Sequence, residues 1–173
     1  MAEVEDLVET LALERIEVNL FRGLASSEQG PRIFGGLVIG QALLAAYRTV
    51  EARICHSLHC YFIRPGDPAI PILYEVDRAR DGRTFTSRRV TAIQHGEQIF
   101  NLAGSFQHPE AGLEHQDPMP AAPSPEGLAD EGERRRKLIA NLPEPLRQMA
   151  ERPRPIDMRP VDPESFMAGR SAI

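Results

Sequence analysis

Hydrophobic residues recur along the first 108 positions with two different periods. Val4, Leu7, Val8 and Leu11 fall at helical spacing, so the chain opens on a helix. Ile16, Val18 and Leu20 alternate with Glu17 and Asn19, which predicts a strand, and polar residues 26–30 predict a loop. Residues 34–50 read FGGLVIGQALLAAYRTV and predict one helix over about 36–50. That helix is apolar on nearly every side, so other elements must wrap it. Strands follow at 56–63, 72–80, 84–94 and 98–107. Asp81-Gly82 and His95-Gly96 supply the hairpin turns. Val90, Ala92, Phe100, Leu102 and Phe106 alternate along the last two strands, as in an antiparallel meander.

The order is strand, buried helix, then four strands. This predicts an α+β hotdog fold, an antiparallel sheet wrapped around one long central helix. Four prolines precede residue 100 and 11 lie from Pro109 onward. Proline removes a backbone donor and cannot populate a sheet interior. Residues 1–108 are therefore expected to form the hotdog domain. Residues 109–173 are expected to form a Pro-rich, extended, linker-like segment with one short helix near 131–141. The charged run Glu133-Arg134-Arg135-Arg136-Lys137 reads as a solvated face, with a phosphate patch as the alternative.

A length of 173 residues suits one domain with a tail. The longest apolar run, 37–47, is interrupted by Gln41 and falls short of a membrane span, so membrane insertion is not expected. The acidic start, MAEVEDLVET, matches neither a secretory signal nor a transit peptide. A net charge of −5 disfavours a general nucleic-acid binder. Two cysteines make no disulfide framework and point to a reducing cytoplasm.

Cys55-His56-Ser57-Leu58-His59-Cys60 invites a metal reading, but alternate strand residues face opposite ways and four ligands cannot converge from one straight strand. No metal is expected. A Cys55–Cys60 disulfide fails as well, because five strand steps span roughly 16 Å and bridged Cα atoms lie within about 7 Å. His56 reads either as a satisfied sheet histidine or as a catalyst. Gly35-Gly36 opens the long helix, where free N–H groups can hold an anion or a developing oxyanion. Tight passage of the chain explains the two glycines equally well. Gly40, one turn on, suggests close helix–sheet packing. Arg64-Pro65-Gly66-Asp67 reads either as a turn with a charged pair or as a substrate-facing loop. No nucleophile elbow, P-loop or dinucleotide fingerprint is present.

LERIEVNLFRG, FGGLVIGQAL, HSLHCYFIRPGD, RDGRTFTSRRVTAIQHGEQIF and SFQHPE occur in that order. Together they resemble the N-terminal half of the acyl-CoA thioesterase II family, the TesB-like double-hotdog enzymes. The resemblance runs from about Leu13 to Pro163, and MPAAPSPEGL and PIDMRPVDPE resemble the linker between the family's two repeats. It implies hydrolysis of fatty acyl-CoA to a free acid and CoA, with no cofactor. In the family the catalytic Asp, Ser/Thr and Gln belong to the second hotdog, so none carries over by motif. Pseudo-twofold matching puts Gln41 near the Asp, the start of the HSLHCYF strand near the Ser/Thr, and Gln107 near the Gln.

An amide such as Gln41 has no usable basic form. This repeat is therefore expected to be the supporting half. Its catalytic candidates are only His56 and Gln107, and its substrate-binding candidates are Gly35, Gly36, Gln41, Arg64 and Asp67. Acyl-CoA is the expected ligand and a homodimer or higher homo-oligomer the expected assembly. The alternative function is a non-catalytic hotdog that dimerises and binds acyl-CoA or a partner. A hotdog hydratase is disfavoured, because the helix region offers no Asp and His to activate water. The ending MAGRSAI leaves the family pattern, as in a truncation, a fragment or a frameshifted product, and Ser-Ala-Ile is not a peroxisomal address.

Overall fold

Helix α1 covers Ala2–Leu11 and is followed by two short strands, β1 (Leu13–Glu17) and β2 (Leu20–Gly23). Helix α2 covers Gly35–Tyr47. Four longer strands follow: β3 (Ile54–Phe62), β4 (Ile72–Asp81), β5 (Phe85–Gln94) and β6 (Glu97–Gln107). The computed structural model describes residues 2–25, 31–129, 132, 143–144, 147, 156 and 158–162. The expected loop at 26–30 lies outside the described residues, as does the short helix at 131–141 apart from Gly132. The chain divides into two units, Glu5–Gly112 and a second made of the residues through Val4 with those from Leu113 onward.

All six strands join one antiparallel sheet in the order β1-β2-β4-β5-β6-β3. The alternation expected over 84–94 and 98–107 sets its inner face. Val76, Val90, Ala92, Phe100, Leu102 and Phe106 all point inward and are buried. Val38, Ala42, Ala45 and Ala46 of α2 complete that core. A helix lying in the concave face of one curled antiparallel sheet is the hotdog arrangement, so the expected fold class holds. The β5–β6 turn places His95 at φ 52° and Gly96 at φ 76°. Two positive φ values in a two-residue loop match the twist of the flanking strands.

Three details differ from the sequence reading. The strand expected through Ile16–Leu20 is two strands. A turn at Val18–Asn19 interrupts it, and the Val18 N–H donates to Glu17 Oε1 at 2.7 Å. Helix α2 starts at Gly35 and stops at Tyr47, three residues short of the expected end, because Arg48 caps it and Thr49 turns back on Ala46. Gly40 faces α1 rather than the sheet, since a Cβ there would meet Leu11 Cδ2 at 2.8 Å.

One polar anchor lies at each end of the core. Gln41 on α2 is fully buried. Its Nε2 donates to Thr10 O at 2.6 Å and Leu24 O at 2.9 Å, while its Oε1 accepts from Tyr74 Oη at 2.8 Å. Burial raises the Tyr74 pKa, so the hydroxyl remains a donor. At the other end, buried Arg88 donates to Thr49 Oγ1, Thr49 O, Ser87 O, Arg80 O and Asp81 Oδ1. Arg88 thus ties the end of α2 to the β4–β5 hairpin.

Candidate active site

A surface cavity of about 420 Å³ opens at the N-terminal end of α2. Its apolar wall comes from Ile33, Val38, Phe62, Ile63, Ile99 and Phe100. Gly35, Arg32, Arg64, Pro65 and Gly66 complete the lining. Three segments far apart in sequence therefore meet here: the run into α2, the exit of β3, and the start of β6.

Phe34 caps α2 in extended geometry without a side-chain hydrogen bond. The Leu37 and Val38 N–H groups both donate to Phe34 O. Among the described residues, the Gly35 and Gly36 N–H groups have no acceptor, as the first turn of a helix requires. A Cβ at Gly35 would lie 2.8 Å from Phe62 Cζ, so this glycine lets an aromatic ring rest on the helix start. The Phe62 ring packs in turn on Phe100, with centroids 5.1 Å apart. The passage is tight at both glycines, and Gly35 alone of the two lines the cavity.

Arg64 donates to Gln98 O at 2.8 Å and pairs with Glu97 at 3.3 Å, which leaves its guanidinium half exposed at the rim. Asp67 does not line the cavity. Its Oδ1 accepts from the Ala69 N–H at 2.8 Å, and His95 Nε2 lies 3.9 Å from its Oδ2. The sequence reading missed Gln94, a buried residue at the end of β5. Gln94 Nε2 donates to Asp67 O and Ile70 O at 2.9 Å each, and its Oε1 accepts from the Asp67 N–H at 2.9 Å. This amide fixes the loop after Arg64. Gly66 O in that loop then accepts from the Ile33 N–H at 3.2 Å, linking the loop to the run into α2.

The remaining candidates lie elsewhere. The hydrogen-bonding groups of Gln41 are engaged inside the fold, as described above. His56 and Gln107 lie at the opposite end of β3. His56 Nε2 lies 2.8 Å from Ser105 Oγ, its ring is tilted 5.5 Å from that of Phe85, and Gln107 faces both Ile54 and Phe85. Six strand residues, roughly 20 Å, separate His56 from Phe62 at the cavity.

The cavity can seat an apolar chain, offer the Gly35 N–H and present positive charge. Arginine cannot serve as a base at neutral pH, and among the described residues no carboxylate, histidine or cysteine lines the cavity. Among the described residues no group of three or more His, Cys, Asp and Glu could hold a metal. Nor is any described helix long and apolar enough to cross a membrane.

Residues 25–107 match the family model of the acyl-CoA thioesterase N-terminal domain. The chain is 42% identical over 157 residues to acyl-CoA thioesterase 2 of Haemophilus influenzae, covering 90% of this chain and 55% of that protein. The hotdog of this chain is an acyl-CoA thioesterase N-terminal domain. Human acyl-coenzyme A thioesterase 8 is also 42% identical, over 161 residues, covering 88% of this chain and 50% of the human one. A solved tesB protein of Mycobacterium avium subsp. paratuberculosis superposes with a TM-score of 0.68 at 42% identity, over 72% of this chain and 50% of that one. The chain spans about half the length of the curated relatives it matches.

Proposed function

We propose that this chain is the N-terminal hotdog of an acyl-CoA thioesterase that hydrolyses fatty acyl-CoA to a free fatty acid and CoA, with a second hotdog supplying the catalytic carboxylate. The observation that carries this reading is the cavity at the start of α2. Among the described residues it combines an apolar wall, the free Gly35 N–H and an arginine rim with no group able to take a proton from water. Gly35 polarises a carbonyl, Arg64 faces the substrate at the rim, and Asp67 shapes the loop behind Arg64. Gln41 clamps the fold. His56 and Gln107 lie where a neighbouring hotdog along β3 would meet them.

Strand β3 supports the need for that neighbour. It ends the sheet, so among the described residues its outer edge has no strand partner. Leu58 and Phe62 pair in register with Gly104 and Phe100, on the core side, yet Leu58 is 40% and Phe62 56% exposed. A second hotdog, in the same polypeptide or in a second copy, covers these side chains and the edge. The reading places the protein in the cytoplasm, where free Cys55 and Cys60 remain reduced.

The test is thiol release from a medium-chain acyl-CoA by the 173-residue chain alone and by the same chain joined to a second hotdog. The joined protein is expected to be faster by at least about a hundredfold, the lower bound for a general base. Equal rates would show that this half carries its own base and would overturn the reading.

A further inference from the structure

The far end of the hotdog carries a concentration of positive charge that the thioester cavity does not use. Between Asp77 and Arg89 the chain places five arginines and only two aspartates, although the whole chain carries −5. Each aspartate lies against an arginine other than Arg80 and Arg83. Asp81 accepts from Arg88 at 2.6 Å, and Asp77 faces Arg89 in the strand register. Arg78 donates to Asn19 Oδ1.

Arg80 and Arg83 remain. Both are exposed, and among the described residues neither makes a side-chain hydrogen bond or ion pair. The turn gathers them. Its Gly82 N–H donates to Phe85 O at 3.0 Å. The Arg80 Nε lies 3.2 Å from where a Gly82 Cβ would stand. A third guanidinium, Arg53, donates to Gly82 O at 2.8 Å and Arg83 O at 3.1 Å. Arg80 and Arg83 flank Asp81, whose carboxylate is paired with Arg88, so the turn keeps a positive balance that suits an anion with several oxygens. Beside them, the Phe85 ring is 45% exposed next to His56, which gives a flat face for a heterocyclic base.

We propose that Arg80 and Arg83, backed by Arg53 and flanked by the Phe85 ring, bind the phosphorylated adenine-nucleotide end of acyl-CoA. This assignment rests on the thioesterase reading. It also answers a problem of distance, since the arginines and the cavity lie at opposite ends of β3. A twofold antiparallel pairing along the β3 edge sets the start of one β3 beside the end of the other. Phe85, Gln107 and Ile54 form one rung across β5, β6 and β3. In such a pairing Phe85 lies three strand spacings, roughly 14 Å across the sheet, from the partner's β3. An extended pantetheine arm spans such a gap.

Calorimetric titration of the 173-residue chain with adenosine 3′,5′-bisphosphate tests the site directly. Binding is expected, falling about tenfold for each arginine removed in R80A and R80A/R83A. It should be unchanged in an R15A control and weakened in F85A. Undiminished binding by R80A/R83A would overturn the proposal, as would equal competition from inorganic sulfate at matched ionic strength. Thiol release by the chain joined to a second hotdog separates the two claims. Robust hydrolysis with an unchanged KM in R80A/R83A sinks the nucleotide site and leaves the thioesterase reading standing. Intact bisphosphate binding without any hydrolysis sinks the thioesterase reading and acyl-CoA as the ligand.

Discussion

Replacing Gln41 by Met tests whether the polar node under α2 holds the hotdog together. Met keeps the length of the side chain and removes every hydrogen bond. Thr10 O and Leu24 O each lose a donor, and Tyr74 Oη loses its acceptor at a position where Tyr74 is fully buried. A stranded buried polar group costs about 1–3 kcal/mol. With the two carbonyls near the lower bound and the hydroxyl in the middle, the expected loss is about 3–4 kcal/mol. That is a large part of the 5–15 kcal/mol typical of a domain. Y74F leaves only Gln41 Oε1 without a donor and should cost about 1–2 kcal/mol. Because each partner strands the other, Q41M/Y74F should be less destabilised than the sum of the singles by about 1 kcal/mol. Urea unfolding with a shared m value measures all four proteins. A Q41M protein within about 0.5 kcal/mol of wild type, a difference expected of a surface site, would refute the reasoning. Q41E adds a pH signature. A carboxylate cannot donate to Thr10 O or Leu24 O, so burial must raise its folded pKa. Its stability is then highest below about pH 4.3, the unfolded value, and falls as pH rises toward the folded pKa.

R88A should lose about 3–5 kcal/mol, because it strips donors from Thr49 O, Arg80 O and Ser87 O together. The Arg88 hydrogen bond holds the Asp81 carboxyl below the usual carboxylate range. Its stabilisation is full above the unfolded value of about 3.9 and fades as pH falls through the folded one. The stability gap between wild type and D81N should therefore close in acid titration; a gap that persists at pH 2 would contradict this. Sedimentation at micromolar concentration should show self-association of the chain, and L58K should abolish it without changing the circular dichroism spectrum. A stable wild-type monomer would count against β3 as an interface.

The sheet was legible because each long strand alternates cleanly and each turn carries a residue suited to positive φ or a tight bend. The β1–β2 turn was not, because Ile16, Val18 and Leu20 keep their alternation straight across it. What breaks the strand there is local: a Glu17 carboxylate on the next N–H, and Asn19 O accepting from Val76 in β4 at 2.8 Å. Gly35-Gly36 pointed to the cavity because free helix-end donors follow from chain direction alone. Gln94 escaped notice because its partners lie 23 to 27 residues away and are main-chain atoms, which leave no mark in composition. Arg88 escaped for a related reason. In TSRRV one arginine is buried and the next exposed, and only the register shows which. His56 and Gln107 were readable as chemistry, but their neighbours Ser105 and Phe85 come from other strands.

The grip of Gln94 on its loop has an evolutionary corollary. It holds Asp67 and Ile70 by backbone atoms alone, so this grip does not depend on which side chains the loop carries. An exposed position such as Ala69 is free to drift in size and polarity while the wall behind Arg64 keeps its course. Selection can then retune what the mouth of the cavity admits by single substitutions that leave the frame untouched. The same design concentrates the risk, since one change at Gln94 would release the whole segment.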